Sequence, residues 1–201
     1  MFIYKKVFLL TFALSVWTSE GRGGAKPIEP VHTAVAILEN GNYQICSGTI
    51  LSNYWVLAAS QCFEHIKISD ITVVAGAMML FSGEGVKVRV KRIVTHPSFK
   101  NDYLDNDDMT KVLDWDLALL ELQESLEIDS NEGIAAAVLP PPSSRHPGKP
   151  ITTGGWDPLS QVSVNTTITT TLDCLKTHPD GNFDDGVQRV GSSGSGGGLI
   201  L

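Results

Sequence analysis

The sequence has few cysteines, a shortage of basic residues and no apolar segment long enough to cross a membrane. Its 201 residues include three Cys, and 15 Lys and Arg stand against 22 Asp and Glu, which gives a net charge of −7. An acidic chain without a basic run is a poor match for nucleic acid or for an anionic membrane, so neither partner is expected. Three cysteines and scattered histidines lack metal-ligand spacing, and no metal is expected.

An acidic segment over residues 102–108 is the one stretch that suggests a cation site. It contains Asp102, Asp105, Asp107 and Asp108. The segment lacks the ligand spacing and the central glycine of an EF-hand loop. A solvated acidic loop is therefore the favoured interpretation.

The N-terminus has the features of a secretory signal peptide. Lys5 and Lys6 precede an apolar run over residues 7–17, and the polar residues 18–20 follow it. The run is too short to span a bilayer, and this order of charge, apolar run and polar residues is typical of a cleaved signal. We therefore predict a signal peptide over residues 1–20 and a secreted, extracellular protein.

Short β-type segments, separated by Gly, Pro, Asn and Asp, dominate the rest of the chain. Val86, Val88 and Val90 alternate with charged residues, which is the period-two pattern of a half-buried strand. No segment shows a long amphipathic helix period. This pattern predicts an all-β sandwich or barrel. The other strand-like segments are residues 32–38, 55–59, 71–75, 116–122 and 162–172.

The second half of the chain follows a Pro-rich stretch over residues 139–150, which we interpret as a linker between two β units. Residues 191–198 contain only Gly and Ser, the composition of a flexible linker. Asn165-Thr166-Thr167 is the one glycosylation sequon of the chain. In a secreted protein Asn165 is a candidate acceptor.

Several blocks of the sequence resemble motifs of the chymotrypsin-like serine proteases. Trp55-Val56-Leu57-Ala58-Ala59-Ser60-Gln61-Cys62 is similar to the Trp-Val-Leu-Thr-Ala-Ala-His-Cys run that carries the family's active-site histidine. The resemblance extends from about Gly23 to the last residue, and it implies a two-barrel fold over residues 21–201 with a complete first barrel. The other similar blocks are residues 47–52, 93–97, 116–122, 153–156 and 195–199.

The resemblance implies a remnant catalytic triad at Gln61, Asp116 and Ser195. In the family a histidine takes the proton of the serine hydroxyl, because the hydroxyl alone is a weak nucleophile. Gln61 is an amide and takes up no proton near neutral pH. Loss of the histidine from a comparable triad costs about 10⁶ in turnover, so we expect at most residual hydrolysis. His65 lies beyond Cys62, outside the motif, and is a poor substitute base.

Further departures from the family pattern point the same way. The apolar pair that opens the family's mature N-terminus is missing before Gly23-Gly24, and Gly194 fills the position of the Asp that pairs with it. The resemblance places the oxyanion hole at the backbone N–H groups of Ser193 and Ser195, where Ser193 replaces a glycine. Arg189 falls near the base of the specificity pocket, although a solvated loop charge is the favoured alternative.

The same resemblance has implications for the cysteines and for the C-terminal end. Cys46 and Cys62 stand where the family's paired cysteines stand, which implies a disulfide between them in a secreted chain. The odd cysteine count leaves a thiol free or paired with another chain, and the partner expected for Cys174 is absent. Only six residues follow Ser195. We therefore expect a second barrel that is truncated at the C-terminus and has open sheet edges.

Taken with these departures, the resemblance implies a secreted, catalytically inactive serine protease homologue. Such a protein would bind extracellular proteins such as proteases and inhibitors, and it would need no cofactor. Two alternatives stay open: a serine endopeptidase with weak or unconventional activity, and a truncated product without a selected role. Cooperative unfolding of the mature chain would count against the truncated product.

Overall fold

The computed structural model describes residues 31–99, 115–141, 147–157, 159–170, 172–173, 176 and 189–190, and this part consists mainly of β-strands. Six antiparallel strands close into a barrel in the order β1-β2-β3-β6-β5-β4. Their bounds are β1 Ala34–Glu39, β2 Tyr43–Ser52, β3 Trp55–Ala58, β4 Ile71–Ala75, β5 Val86–Thr95 and β6 Ala118–Leu122. Three short 3₁₀ turns lie between strands, at Ser60–Phe63, Ile68–Asp70 and Ile128–Ser130.

The barrel forms because alternate residues of its strands are apolar and point to a common interior. In β6, Ala118, Leu120 and Leu122 are buried, whereas the residues between them are partly exposed. Each fully buried Val, Leu or Ile stabilises the fold by about 1.5–3 kcal/mol relative to exposure. Closure also pairs both sides of every strand, so the barrel has no free edge. The core includes Val35, Ile37, Ile50, Val56, Val73, Val88, Val90, Leu120 and Leu122.

Glycine is needed at position 48 because β2 and β3 approach closely there. A Cβ atom on Gly48 would lie 2.8 Å from Val56 Cγ1 and 2.9 Å from the carbonyl oxygen of Leu57. The carbonyl is main chain and cannot rotate away, so a larger residue would separate the two strands.

A β-bulge interrupts β5 after Val90. Val90 pairs with Leu122 and Arg92 pairs with Glu121, so Lys91 and Arg92 together face the single residue Glu121. Lys91 Nζ lies 2.6 Å from one carboxylate oxygen of Glu121, and Arg92 Nη2 lies 2.8 Å from the other. The hydrogen bond from Lys91 is the main cause that holds the pKa of Glu121 below its usual value, and Arg92 adds to it.

A second sheet contains β7 (Pro150–Asp157), β8 (Ser160–Thr169) and β9 (Arg189–Val190), in that order. β7 and β8 form a long antiparallel hairpin that pairs from Pro150 with Thr167 to Asp157 with Ser160. Gln161 is the only residue that is buried among those of this sheet whose side chains the structure describes, at 4% exposure. Every buried hydrophobic residue in the described part of the chain lies between Ala34 and Ile134.

The second sheet attaches to the barrel through the segment that follows β4. The N–H of Leu80 donates to the carbonyl of Leu159 at 2.9 Å, and the N–H of Gln161 donates to the carbonyl of Met78 at 2.7 Å. The indole N–H of Trp156 donates to the carbonyl of Ala77 at 3.2 Å, and its ring packs on a small apolar cluster. That cluster contains Ala36, Leu38, Val74, Ala77 and Leu80.

The all-β prediction is confirmed. β4 coincides with the predicted segment 71–75, and β3 ends one residue before the predicted segment 55–59 ends. The predicted signal peptide over residues 1–20 and the acidic segment 102–108 lie outside the described residues. Within the described ranges, no helix has the length and apolar character needed to cross a membrane. In the same ranges, no group of three or more His, Cys, Asp and Glu side chains could hold a metal ion.

Candidate functional site

The fold brings Gln61 and Asp116 together at one end of the barrel. β3 and β6 are antiparallel neighbours, and Ala58, the last residue of β3, pairs with Ala118, the first residue of β6. Gln61 follows β3 in a 3₁₀ turn, and Asp116 precedes β6. The backbone N–H of Gln61 donates to Asp116 Oδ1 at 2.8 Å. The carboxylate is therefore oriented by the main chain of Gln61.

Ser60 holds the same two segments together by a second hydrogen bond. Its hydroxyl donates to the carbonyl of Leu117 at 2.6 Å, and Ser60 is only 2% exposed. A buried hydroxyl that is satisfied in this way contributes about 1 kcal/mol. Ser60 and Gln61 of the turn thus bind Leu117 and Asp116, the two residues that precede β6. These two hydrogen bonds define the distance between Gln61 and Asp116.

The disulfide between Cys46 and Cys62 ties the turn to β2. The two Cα atoms are 6.1 Å apart, and the cysteines are 16 residues apart in the chain. Closing a loop of about 15 residues stabilises a fold by about 3 kcal/mol in the chain-entropy model. The predicted disulfide is confirmed, and it anchors the residue next to Gln61.

On its other side, Asp116 is flanked by a stacked pair of rings that the sequence analysis did not predict. The rings of His96 and Trp115 are parallel within 10° and their centroids are 4.6 Å apart. His96 Nδ1 accepts a hydrogen bond from the N–H of Ser98 at 3.1 Å. Trp115 has a φ of 58°, a left-handed conformation that is strained for a bulky residue.

The sequence indicated one member of this pair, because His96 belongs to the block 93–97 that resembles a family motif. Its partner could not be read from the sequence, because Trp115 lies 19 residues away along the chain. The N–H of His96 also donates to the carbonyl of Leu117 at 2.8 Å. The segment 115–117 is therefore bonded to His96, the residue that follows β5, as well as to the turn that carries Gln61.

The remaining predicted site residues are not part of this constellation as far as the structure describes them. Ser193 and Ser195 lie outside the described residues. Arg189 lies in β9, where its backbone pairs with Thr169. Asn165 lies on β8, is exposed, and its side-chain oxygen accepts a hydrogen bond from Thr152 Oγ1 at 2.7 Å.

His65 stands apart from the site. It is exposed, and among the described residues it forms no hydrogen bond to Gln61 or Asp116. Among the described residues, the hydrogen bond from the turn to Asp116 comes from the main-chain N–H of Gln61, whose side chain is exposed. An amide can donate and accept hydrogen bonds, but it cannot act as a general base near neutral pH.

Comparison with known proteins identifies the relatives of this chain. The family model described as "Trypsin" matches residues 21–193, which is most of the chain. Trypsin-3 of Salmo salar is 30% identical over 142 residues, which cover 70% of this chain and 52% of the salmon protein. Human kallikrein-7 is 24% identical over 189 residues, covering 87% of this chain and 68% of its own length.

A third relative is much longer than this chain. Transmembrane protease serine 9 of Rattus norvegicus is 28% identical over 63% of this chain, but the match covers only 11% of the rat protein. The chain thus spans about a tenth of that relative and about half of the salmon trypsin.

Two solved structures share the fold. Mouse neuropsin, titled a serine protease, has a TM-score of 0.66 at 20% identity and covers 81% of this chain and 70% of its own. The scabies mite inactivated protease paralogue S-D1 has a TM-score of 0.65 at 22% identity, with coverages of 80% and 69%. The barrel and the second sheet therefore belong to the same architecture as these two proteins.

Proposed function

The chain belongs to the trypsin family of chymotrypsin-like serine proteases, and we propose that it is a catalytically inactive member that acts by binding other proteins. The family match over residues 21–193 includes both Gln61 and Asp116. In the family the residue at position 61 is the base that activates the serine. A glutamine at that position removes the proton acceptor on which the reaction depends.

One observation carries the proposal. Asp116 accepts a hydrogen bond from the main chain of Gln61, and the side chain of Gln61 is an amide where the family has an imidazole. The bond from the backbone N–H of Gln61 to Asp116 Oδ1 is 2.8 Å long. The orienting carboxylate is therefore in place, while the group that it would orient in an active enzyme is replaced. Loss of the base alone accounts for about six orders of magnitude in turnover in a comparable triad.

The overall fold does not distinguish an active protease from an inactive homologue. The distinction must therefore come from the residues of the site. The structural neighbours include one protein titled a serine protease and one titled an inactivated protease paralogue, at nearly equal TM-scores of 0.66 and 0.65. Their similarity to this chain concerns the backbone. We therefore base the inactive role on the residue at position 61 rather than on the architecture.

A binding role would follow from a stable scaffold without catalysis. The relatives include trypsin-3 and kallikrein-7, and an apolar run over residues 7–17 preceded by two lysines supports export of this chain. We propose a secreted, extracellular location. The partners would be extracellular proteins such as proteases and their inhibitors.

Labelling with a fluorophosphonate probe tests the proposal directly. The secreted chain, its Ser195→Ala variant and an active trypsin would be treated in parallel. We expect the chain to give the same background as Ser195→Ala, while the trypsin is labelled fully. Robust labelling that disappears in Ser195→Ala would contradict inactivity. A circular dichroism melt of each sample checks that the chain is folded.

A further inference from the structure

The outer face of β5 concentrates most of the positive charge of the first barrel. Lys87, Arg89, Lys91 and Arg92 are all exposed on this strand, and we refer to these four residues as the cationic ridge. Residues 31–99 contain only one other Lys or Arg, Lys67, and residues 115–141 contain none. Within residues 31–99 and 115–141 of this acidic chain, the ridge is therefore a compact positive surface.

The alternation of β5 and its bulge together produce the ridge. Val88 and Val90 are buried in the barrel, so Lys87 and Arg89 point outward. The bulge then adds a second outward residue in succession, because Lys91 and Arg92 both face Glu121. One inserted residue therefore places two neighbouring cations beside the alternating ones.

The carboxylates near the ridge leave a positive surplus. Glu121 binds both Lys91 and Arg92, and so offsets one of two charges. Asp70, in the 3₁₀ turn that packs beside β5, accepts a hydrogen bond from Ser69 Oγ. Among the described residues, Lys87 and Arg89 form no ion pair. Both are thus available to an acidic ligand.

The geometry selects an extended ligand. Alternate residues of a strand repeat at about 6.7 Å, so Lys87, Arg89 and Lys91 form a row of charges with that spacing. Same-face side chains of an extended peptide repeat at the same distance of about 6.7 Å. The backbone of β5 is already paired with β4 and β6, so recognition would depend on side chains alone.

The end of the ridge near the bulge is held in position before any ligand arrives. The side chain of Glu121 is 17% exposed and bonds to both Lys91 and Arg92. The guanidinium of Arg92 also lies over the ring of Trp55, 5.9 Å from its centroid. Side chains that are already ordered lose less conformational entropy on binding.

We propose that the cationic ridge binds an extended acidic peptide of a partner protein, with Asp or Glu at alternate positions. This inference deepens the binding role proposed above by naming the chemistry of the partner. The part of the ridge that forms no ion pair is separate from Gln61 and Asp116, because Arg89 lies six residues before Thr95, where β5 ends beside Ala118. Six residues of strand correspond to about 20 Å, whereas Arg92 at the other end of the ridge lies three residues, about 10 Å, from Thr95.

Fluorescence polarisation with a labelled ten-residue peptide of alternating Glu and Thr tests the proposal. The secreted chain should bind this peptide and should not bind the matching peptide of alternating Gln and Thr. The Lys87→Gln/Arg89→Gln double variant should bind about five to tenfold more weakly, since each surface ion pair contributes modestly. Raising the salt from about 0.05 to 0.5 M should weaken binding, because exposed charges are screened.

Two control variants show whether position and charge both matter. Lys149→Gln/Lys176→Gln removes the same charge from outside the ridge and should leave the affinity within about twofold, because distant exposed charges are screened. Lys87→Arg/Arg89→Lys keeps the charge and should also bind normally. Equal losses in the ridge and distant variants, or no binding of the Glu–Thr peptide, would overturn the proposal.

A sulfated polysaccharide is the competing class of ligand. Binding of heparin without binding of the Glu–Thr peptide would also overturn the peptide proposal and favour that class. The assay does not use the fluorophosphonate probe or Ser195. An active enzyme could therefore still bind the peptide, and an inactive chain could fail to bind it, so the two proposals can fail separately.

Discussion

The barrel of β1–β6 and the sheet of β7–β9 obtain their stability in different ways. The barrel closes on an interior of buried aliphatic residues, and all of its strands are paired on both sides. The described part of the second sheet buries no hydrophobic side chain, and its one buried residue is Gln161. It is held by hydrogen bonds to the segment 77–80 and by the packing of Trp156.

This difference means that the second sheet depends on the barrel, whereas the barrel has a core of its own. Gln161 illustrates the dependence, because its side chain makes two hydrogen bonds to the main chain of Val31, which precedes β1. The N–H of Val31 donates to Gln161 Oε1 at 3.2 Å, and Gln161 Nε2 donates to the carbonyl of Val31 at 3.3 Å. Gln61 and Asp116 lie beside β3 and β6 and therefore belong to the barrel.

Truncation of a leucine in each region should show the largest contrast. Leu120 is fully buried in the barrel, so Leu120→Ala should lower the free energy of unfolding by about 2–5 kcal/mol. Leu159, between β7 and β8, is 45% exposed, and Leu159→Ala should cost less than about 1 kcal/mol. Urea unfolding followed by tryptophan fluorescence measures both values. Equal losses would break the comparison.

Two adjacent glycines of β7 test how closely the second sheet packs on the barrel. A Cβ on Gly154 would lie 2.6 Å from Val31 Cγ2 and 2.8 Å from Val31 Cβ, whereas a Cβ on Gly155 would meet only Ser47 Oγ at 3.9 Å. Gly154→Ala should therefore destabilise the protein by about 1–3 kcal/mol. Gly155→Ala is the matched control and should have little effect. Hydrogen exchange of β7 and β8 amides would locate the damage.

The buried amide of Gln161 provides a third comparison. Gln161→Leu should lower the free energy of unfolding by about 1–2 kcal/mol, because the N–H of Val31 loses its acceptor and the carbonyl of Val31 keeps only the N–H of Ala34 as a donor. Gln123, on the barrel surface, makes one side-chain hydrogen bond to the carbonyl of Val90, and Gln123→Leu should cost less than half as much. Thermal unfolding of both variants would be compared. A larger loss at Gln123 would refute the role given to Gln161.

The smallest expected effect is on the stability of the protein at acidic pH. In the fold the pKa of Glu121 is lowered, chiefly by Lys91, so its carboxylate stabilises the protein above about pH 4.3, the usual value for Glu, and this contribution disappears as the pH falls further. The pKa of Asp173 is lowered in the same way, chiefly by Lys176. Between about pH 5 and 3, the free energy of unfolding should depend less on pH in Glu121→Gln than in the unmodified chain.

Asp173→Asn is the matched variant in the second half of the chain. The side chain of Asp173 is 53% exposed and that of Glu121 is 17% exposed, so solvent screens the Asp173 pair more strongly. We expect Asp173→Asn to change the pH dependence less than Glu121→Gln does. The reverse order would show that the surface pair of the second half is the stronger one.

Local patterns predicted five of the six barrel strands but not β2, and they did not predict how the strands pair. The apolar segment 71–75 is bounded by Asp70 and Gly76, and it became β4 without a shift of either end. The alternation that begins at Val86 predicted β5, but the strand continues past Lys91 to Thr95. A bulge depends on the register of the neighbouring strand, and no pattern within β5 encodes that register.

For Gln61 and Asp116 the resemblance indicated that the two residues act together, but not the contact that joins them. The resemblance pointed to Gln61 and Asp116, but it did not indicate that the main-chain N–H of Gln61 is the donor to the carboxylate. Gln161 had no signal at all, because a polar residue in an alternating strand is expected on the exposed face. Its burial is produced by Val31, which lies 130 residues earlier in the chain.

The hydrogen bond from Gln61 to Asp116 is donated by the main chain and so does not depend on the side chain at position 61. The donor is present whatever side chain the turn carries, so the aspartate stays aimed at the same place. Glutamine and histidine codons differ only in their third base. A single nucleotide change therefore separates an amide from an imidazole at this position, and the backbone needs no rearrangement to receive either one.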